Sequence, residues 1–172
     1  MTTQNVKVKE AAKNKSVQPA AKAEMLIRKP VSEVFEALVN PDITSKFWFT
    51  KGSDRLQEGK TIEWEWGMYD FKLSIYVQQL KQNSFISFTW SGTGMPTTVE
   101  ITFTPKGAAT TFVSIVEKGW DADDEKLFQY LVGNTEGWTL VLAALKALLE
   151  HNVILKVVED RHPEGFELEK IS

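Results

Sequence analysis

Glu117 is the titratable side chain best placed to do chemistry in this chain. It ends a strand of alternating character and stands just before a long helix. A carboxyl held in a dry cavity is a candidate general acid or base. The plainer alternative is an ion pair at the strand end, with Lys118 or Arg28. Asn134, inside the helix that follows, is the polar group able to share a cavity with it. The histidines offer less. His151 sits at the helix end, where positive charge is favourable, and His162 sits in a DRHP turn. They stand 11 residues apart on different elements and make no metal cluster. No metal and no cofactor is expected. The chain has no cysteine, hence no thiolate nucleophile and no disulfide. GTGMP lacks the Lys-Ser/Thr pair and the strand–helix context of a phosphate loop. No serine stands in a nucleophile context.

The elements that must position these groups begin with the stretch from Asp121 to His151. It reads as one helix of roughly 27 residues from Asp123 or Asp124, against an average of about 11–12. The acidic start suits the helix dipole, and Asn152 suits the left-handed end. At 100° per residue Leu131, Trp138, Leu142, Leu145 and Leu149 fall together, with Tyr130, Val141 and Leu148 beside them. The apolar arc spans roughly 200°, twice that of an ordinary surface helix. Something must wrap it. Gly133 and Gly137 lie on this arc, although each costs about 1 kcal/mol against alanine. Close backbone packing explains them in one way; a cavity wall explains them in another.

The cover comes from the preceding strands. Ile62, Trp64 and Trp66 alternate with Glu63 and Glu65. Residues 69–77, 85–90, 95–105 and 111–117 follow as further strands, with a Lys106-Gly107 hairpin turn. Short turns between sequential strands imply an antiparallel meander with one buried face. Upstream, Met25–Arg28 is a short strand. Val31, Val34, Phe35 and Leu38 mark a helix capped by Ser32, and Ile43–Phe49 marks a second short helix. Val153–Val158 is apolar enough to dock against the body. The six tryptophans admit a carbohydrate or nucleobase reading, but Trp64 and Trp66 among apolar neighbours are more simply core.

Composition sets the outer limits. The 172 residues are 42% hydrophobic and 11% aromatic, which suits one domain with a real core. The net charge is -3, and residues 1–23 carry five lysines against Glu10. This Lys-rich stretch reads as a disordered tail, residues 24–160 as the domain, and 161–172 as a polar C-terminal tail. The charge gives no case for nucleic acid. No run of 18 apolar residues exists, so no membrane span is expected. The lack of cysteine and of a signal-peptide core fits a cytoplasmic protein. The expected fold class is α+β: a curved antiparallel sheet of about six to seven strands wrapped around a long C-terminal helix, with two short helices after the first strand.

Five segments carry a resemblance: KPVSEVFEALVNPDITSKFWF, EGKTIEWEWG, VEITFTPKGAATTFVSIVEKGW, EGWTLVLAALKALLEHN and DRHPEG. Together they span about residues 24–165, and they resemble the helix-grip (SRPBCC, START-like) superfamily. Within it they are similar to bacterial homologues of the C-terminal domain of the heat-shock-chaperone ATPase activator, and to polyketide cyclases. The resemblance implies a hydrophobic cavity between sheet and helix. It places Glu117 at the polar strand-end position, Trp138 at the helix tryptophan, and Trp48-Phe49 near the mouth.

The expected ligand-binding set follows. From the sheet come Trp64, Trp66, Phe71, Ile75, Trp90, Ile101, Val113, Ile115 and Glu117. The helix adds Tyr130, Asn134 and Trp138, and the short-helix region adds Trp48 and Phe49. The expected function is binding of a small hydrophobic or amphipathic ligand, by a monomer or weak homodimer. Two alternatives stand beside it: a cyclase- or hydrolase-type enzyme using Glu117, and a chaperone-linked interaction module.

Overall fold

A computed structural model describes residues 18–163. The Lys-rich stretch therefore lies mostly outside the described residues, as does the C-terminal tail from 164 onward. Strand β1 starts at Ala20 and runs to Ile27, so residues 20–23 of the expected tail belong to the sheet. Ala21 and Ala23 point inward along it, and small apolar side chains suffice because the whole strand pairs with the last one.

After β1 come α1 (Val31–Val39) and α2 (Pro41–Thr44). Pro30 rather than Ser32 stands at the first helix's N-cap, with no side-chain cap. Asn40 caps the second, accepting from the Asp42 amide at 3.1 Å, and Pro41 fits its first turn. That helix starts earlier and stops sooner than the apolar spacing of Ile43, Phe47 and Trp48 suggests; the residues after Thr44 are turns.

The strands are β2 (Lys51–Gly52), β3 (Thr61–Trp66), β4 (Phe71–Lys81), β5 (Phe85–Trp90), β6 (Thr97–Pro105) and β7 (Thr111–Lys118). They form one curved antiparallel sheet with the order β1-β7-β6-β5-β4-β3-β2. The first and last strands are neighbours, so the meander turns back on the strand where it began. Period-two patterning sets the inner face. In TFVSIVEK, Thr111, Val113, Ile115 and Glu117 are all buried, and the residues between them are not.

The long helix α3 (Leu127–His151) has 25 residues and lies across the inner face, packed most extensively against β1. It starts later than the sequence suggests. Asp121 Oδ1 takes the Asp123 amide at 3.0 Å, and Asp124 Oδ1 takes the Lys126 amide at 2.8 Å. These side-chain turns compete with helical hydrogen bonding. At the other end Asn152 adopts φ 53° and closes the helix in the left-handed conformation. Lys146 Nζ then donates to the Leu26 carbonyl at 2.8 Å, and Glu150 Oε1 accepts from the Arg28 amide at 2.7 Å. Both contacts fasten this half of the helix to the end of β1. Val153, Ile154 and Leu155 stay exposed instead of docking, whereas Val157 and Val158 of the short helix α4 (Val157–Asp160) pack against the core.

Candidate functional site

The register of three strands and one turn of α3 converge on Glu117. Trp90 and Thr97 are cross-strand partners on β5 and β6, while Glu117 faces Val99 on β6 and Ala21 on β1. Thr97 is two residues from Val99, hence on the same face. The Glu117 side chain is fully buried. Its Oε1 accepts from Trp90 Nε1 at 2.8 Å and from Thr97 Oγ1 at 2.6 Å. Its Oε2 accepts from Trp138 Nε1 at 2.7 Å and from Asn134 Nδ2 at 2.9 Å.

Four donors therefore saturate a carboxylate that can accept about four hydrogen bonds, and all four are neutral. The ion pair expected at the strand end does not form: Lys118 pairs with Glu100 at 2.7 Å, and Arg28 turns to Glu150. Burying a carboxylate is costly unless hydrogen bonds compensate for its lost water. Here two indoles, an amide and a hydroxyl do so. The carboxylate fixes the orientation of Trp90, Asn134 and Trp138, and these three, unlike Glu117, reach the surface of the cavities.

Around it stands an aromatic box. Trp48 meets Trp64, Trp66, Trp90 and Trp138 with ring centroids 4.7–6.4 Å apart. Phe49 stacks on Trp64 at 4.8 Å, and Trp90 on Trp138 at 5.3 Å. Trp66 leans on Phe71 at 5.8 Å. These spacings are those at which aromatic pairs add to simple burial. The space between the middle of the sheet and the helix is thus occupied by rings. Trp64, Ile101, Val113 and Ile115 lie fully within this core.

Open space survives at its edge. A groove of about 290 Å³ is walled by Gln129, Tyr130, Gly133, Asn134, Glu136 and Gly137 of α3, by Gly92 and Thr93 after β5, and by Arg161 and His162, so polar side chains make up much of its rim. A second hollow of about 140 Å³ shares Gly133, Asn134 and Gly137 and reaches Trp48 and Trp138. A third, about 160 Å³, is lined by Trp66, Tyr69, Phe71, Leu73, Trp90, Gly92, Val158 and His162. Trp48 and Phe49 also border a groove of about 330 Å³ on the outer side, against Ile154, Leu155 and α4. Ile75 joins Trp90 in a shallow recess elsewhere on the sheet. The expected site residues thus divide into the buried core and the walls of these grooves.

Gly133 and Gly137 are exposed, and close backbone packing does not account for them. A Cβ built on either one meets no atom within 4 Å. No neighbouring backbone demands these glycines; they border open space.

Residues beyond the expected set complete the walls. The Tyr69 hydroxyl donates to the Val158 carbonyl, and Arg161 pairs with Glu136 of α3 at 2.7 Å. Thus α4 and the two residues after it are strapped across the hollows from both sides. The hydrogen bond from Arg161 holds the Glu136 carboxyl below its usual range. Burial, then the Arg161 charge, lowers the His162 imidazole. Burial, then Glu159 and Asp160, raises the Tyr69 phenol. Sequence patterning could not place Arg161 and His162, which stand in a short polar turn without period. Thr97 had a signal, since its parity with Val99 and Ile101 puts it on the inner face. Among the described residues no group of side chains could hold a metal ion, and no helix is long and apolar enough to cross a membrane.

A curved antiparallel sheet gripping one long C-terminal helix, with two short helices after the first strand, defines a helix-grip protein. The chain belongs to the family described as Activator of Hsp90 ATPase homolog 1-like protein, which matches residues 28–150. Among solved structures it is similar to the protein SSP2350 from Staphylococcus saprophyticus, at 34% identity and TM-score 0.70, over 80% of this chain and 96% of that one. More distant structures share the fold. DynU16, described as a putative protein in the dynemicin biosynthetic locus, is 21% identical with TM-score 0.68, over 80% of this chain and 49% of that longer one. The Aha1 dimer from Colwellia psychrerythraea is 19% identical with TM-score 0.66, over 77% and 96%. No curated protein matches the chain.

Proposed function

We propose that this protein binds a small hydrophobic or amphipathic molecule in the grooves between the N-terminal half of α3, the Trp66–Trp90 side of the sheet, and α4. The observation that carries this reading is the open space over Gly133 and Gly137. Two helix-weakening residues on one face, with no packing partner, are accounted for by the groove they leave. Concave sites lined mainly by aromatic and apolar groups, with a few fixed polar ones, are the common form of a small-ligand pocket. Trp90 and Asn134, both held by Glu117, supply that mixture.

The saturation of Glu117 supports a role as organiser of the wall rather than as acid or base. Binding by a monomer or a weak homodimer both suit this reading, because the grooves are complete within one chain. Native mass spectrometry of the purified protein, followed by a fluorescence titration with fatty acids, flavonoids and polyketide-like aromatics, tests it. A co-purified ligand or saturable quenching is expected. Failure of every member of a broad panel to bind would overturn the reading.

A further inference from the structure

The side-chain amide of Asn134 is held by one end only. Its Nδ2 donates to Glu117 Oε2 at 2.9 Å. A carboxylate can only accept, so the amide cannot be turned over: the nitrogen faces Glu117 and the carbonyl oxygen faces away from it. Oδ1 has no hydrogen-bond partner among the described residues, and no buried side-chain polar atom among them lacks one, so this oxygen is accessible from outside. Asn134 lines both the groove of about 290 Å³ and the hollow of about 140 Å³. The free lone pairs of Oδ1 are presented to that shared space.

The two spaces differ in chemistry. The smaller is walled by Trp48, Trp138, Leu140, Val141 and Val158, and the larger has a polar rim. They share the edge made by Gly133 and Gly137, and Asn134 stands on it. Arg161 borders both, but it is paired with Glu136 at 2.7 Å, and the pair adds no net charge. On the inner side of the amide lies the fully buried Glu117 carboxylate. An N–H that donates to a carboxylate polarises its own carbonyl, because linked hydrogen bonds reinforce one another. Oδ1 is thus a strengthened acceptor at the boundary between an apolar hollow and a polar groove.

We infer that Asn134 is the specificity-determining residue of the ligand site, its carbonyl oxygen accepting a hydrogen bond from a neutral hydroxyl of an amphipathic ligand. The inference rests on the ligand-binding reading above and adds the chemistry of the polar group. The apolar body of the ligand lies towards Trp48 and Trp138, and its hydroxyl stops at the glycine edge. Alcohols and phenols are selected over two neighbouring classes. An ether of the same shape covers Oδ1 and strips its water without replacing it, which leaves an acceptor unsatisfied. A carboxylate brings negative charge to the negative end of the amide dipole, with Glu117 behind it.

The test is a calorimetric titration of the full chain at neutral pH with 2-naphthol, 2-methoxynaphthalene and 2-naphthoate, and with 1-octanol against octanoate. Each hydroxyl compound should bind about fivefold more tightly than its partners, although the ether has the larger apolar surface. Asn134→Leu should bring naphthol and methoxynaphthalene to equal affinity, with unfolding curves to establish that the variant is folded. A second measurement needs no variant. In the parent protein at saturation, naphthol should move the Asn134 side-chain carbonyl carbon resonance downfield, beyond any ring-current displacement that methoxynaphthalene produces. An ether or a carboxylate that binds as tightly as its hydroxyl partner overturns the inference and leaves the ligand-binding reading standing. So does a hydroxyl preference that survives Asn134→Leu, or a carbonyl resonance that naphthol moves no further than the ether does. Failure of both hydroxyl compounds, while other members of the panel bind, also overturns the inference alone. Binding of nothing at all removes both.

Discussion

The indole N–H of Trp138 donates to Glu117 Oε2 at 2.7 Å, joining the middle of α3 to the last strand through a fully buried carboxylate. The matching bond from Trp90 to Oε1, at 2.8 Å, makes the carboxylate a bracket between two stacked indoles. Indole nitrogen can only donate. Each oxygen of Glu117 therefore has one partner that must find an acceptor.

Glu117→Gln is expected to destabilise the fold. Whichever way the amide is turned, its NH2 faces an indole N–H and leaves that donor stranded. An unsatisfied buried group costs about 1–3 kcal/mol. Chemical denaturation should show a loss of that size with an unchanged m-value. A variant as stable as the parent would mean that the bracket is not a structural requirement.

Gly133→Ala and Gly137→Ala should do the opposite. Each adds a methyl group where nothing lies within 4 Å and removes a weak helix former. A gain of up to about 1 kcal/mol is expected for each, or roughly 2–4 °C in Tm for a protein of this size. Ligand affinity should fall as the groove narrows. Greater stability with undiminished binding would show that the groove is not the site.

Acid should loosen the strap formed by α4, Arg161 and His162. The His162 imidazole is lowered from its ordinary 6.5 by burial first and by Arg161 second. Just below that value the unfolded chain binds a proton that the folded chain refuses. Stability is therefore complete above about pH 6.5 and declines as the pH falls towards the folded-state value. Glu136, lowered from 4.5 by its bond to Arg161, adds a second loss at lower pH. The protection factor of the Asp160 amide, which donates to the Lys156 carbonyl at 2.8 Å, should fall as the pH drops from about 7 to 5.5, and His162→Gln should flatten that change. A pH-independent protection factor would exclude His162 as the cause.

Trp64→Ala tests whether the aromatic box is core before it is anything else. Trp64 is 1% exposed and touches Trp48, Phe49, Trp66 and Phe88. Truncation of a buried tryptophan costs about 3–5 kcal/mol, a large share of the ~5–15 kcal/mol of a typical domain. A thermal melt that moves by less than a few degrees would mean that the box is loosely packed.

The parity of TFVSIVEK turns Glu117 inward, and the same logic places Trp64, Trp66 and Ile101, so the fold was legible from period alone. The wide arc of α3 was legible as well, because an apolar helix must be covered. Its start was not: Asx turns at Asp121 and Asp124 use the acidic residues that also suit a helix N-terminus. The partners of Glu117 depend on register, which the length of the loop between Trp90 and Thr97 sets without any signal in composition. The strap was hidden for a different reason. Arg161 reaches Glu136 and His162 reaches Tyr69 across the chain, and such isolated long-range contacts leave no periodicity.

The box also gives the molecule an optical identity. Trp48, Trp64, Trp66, Trp90 and Trp138 stand within one chain of ring contacts. Trp120 belongs to a separate small cluster with Ala21 and Tyr130. Transitions on indoles this close mix, so the near-ultraviolet circular dichroism of the protein belongs to the assembly and not to any one ring. Rotation of Trp90 would alter its coupling to Trp48 and Trp138 and hence the band, so the wall of the groove would report on its own geometry without an added label.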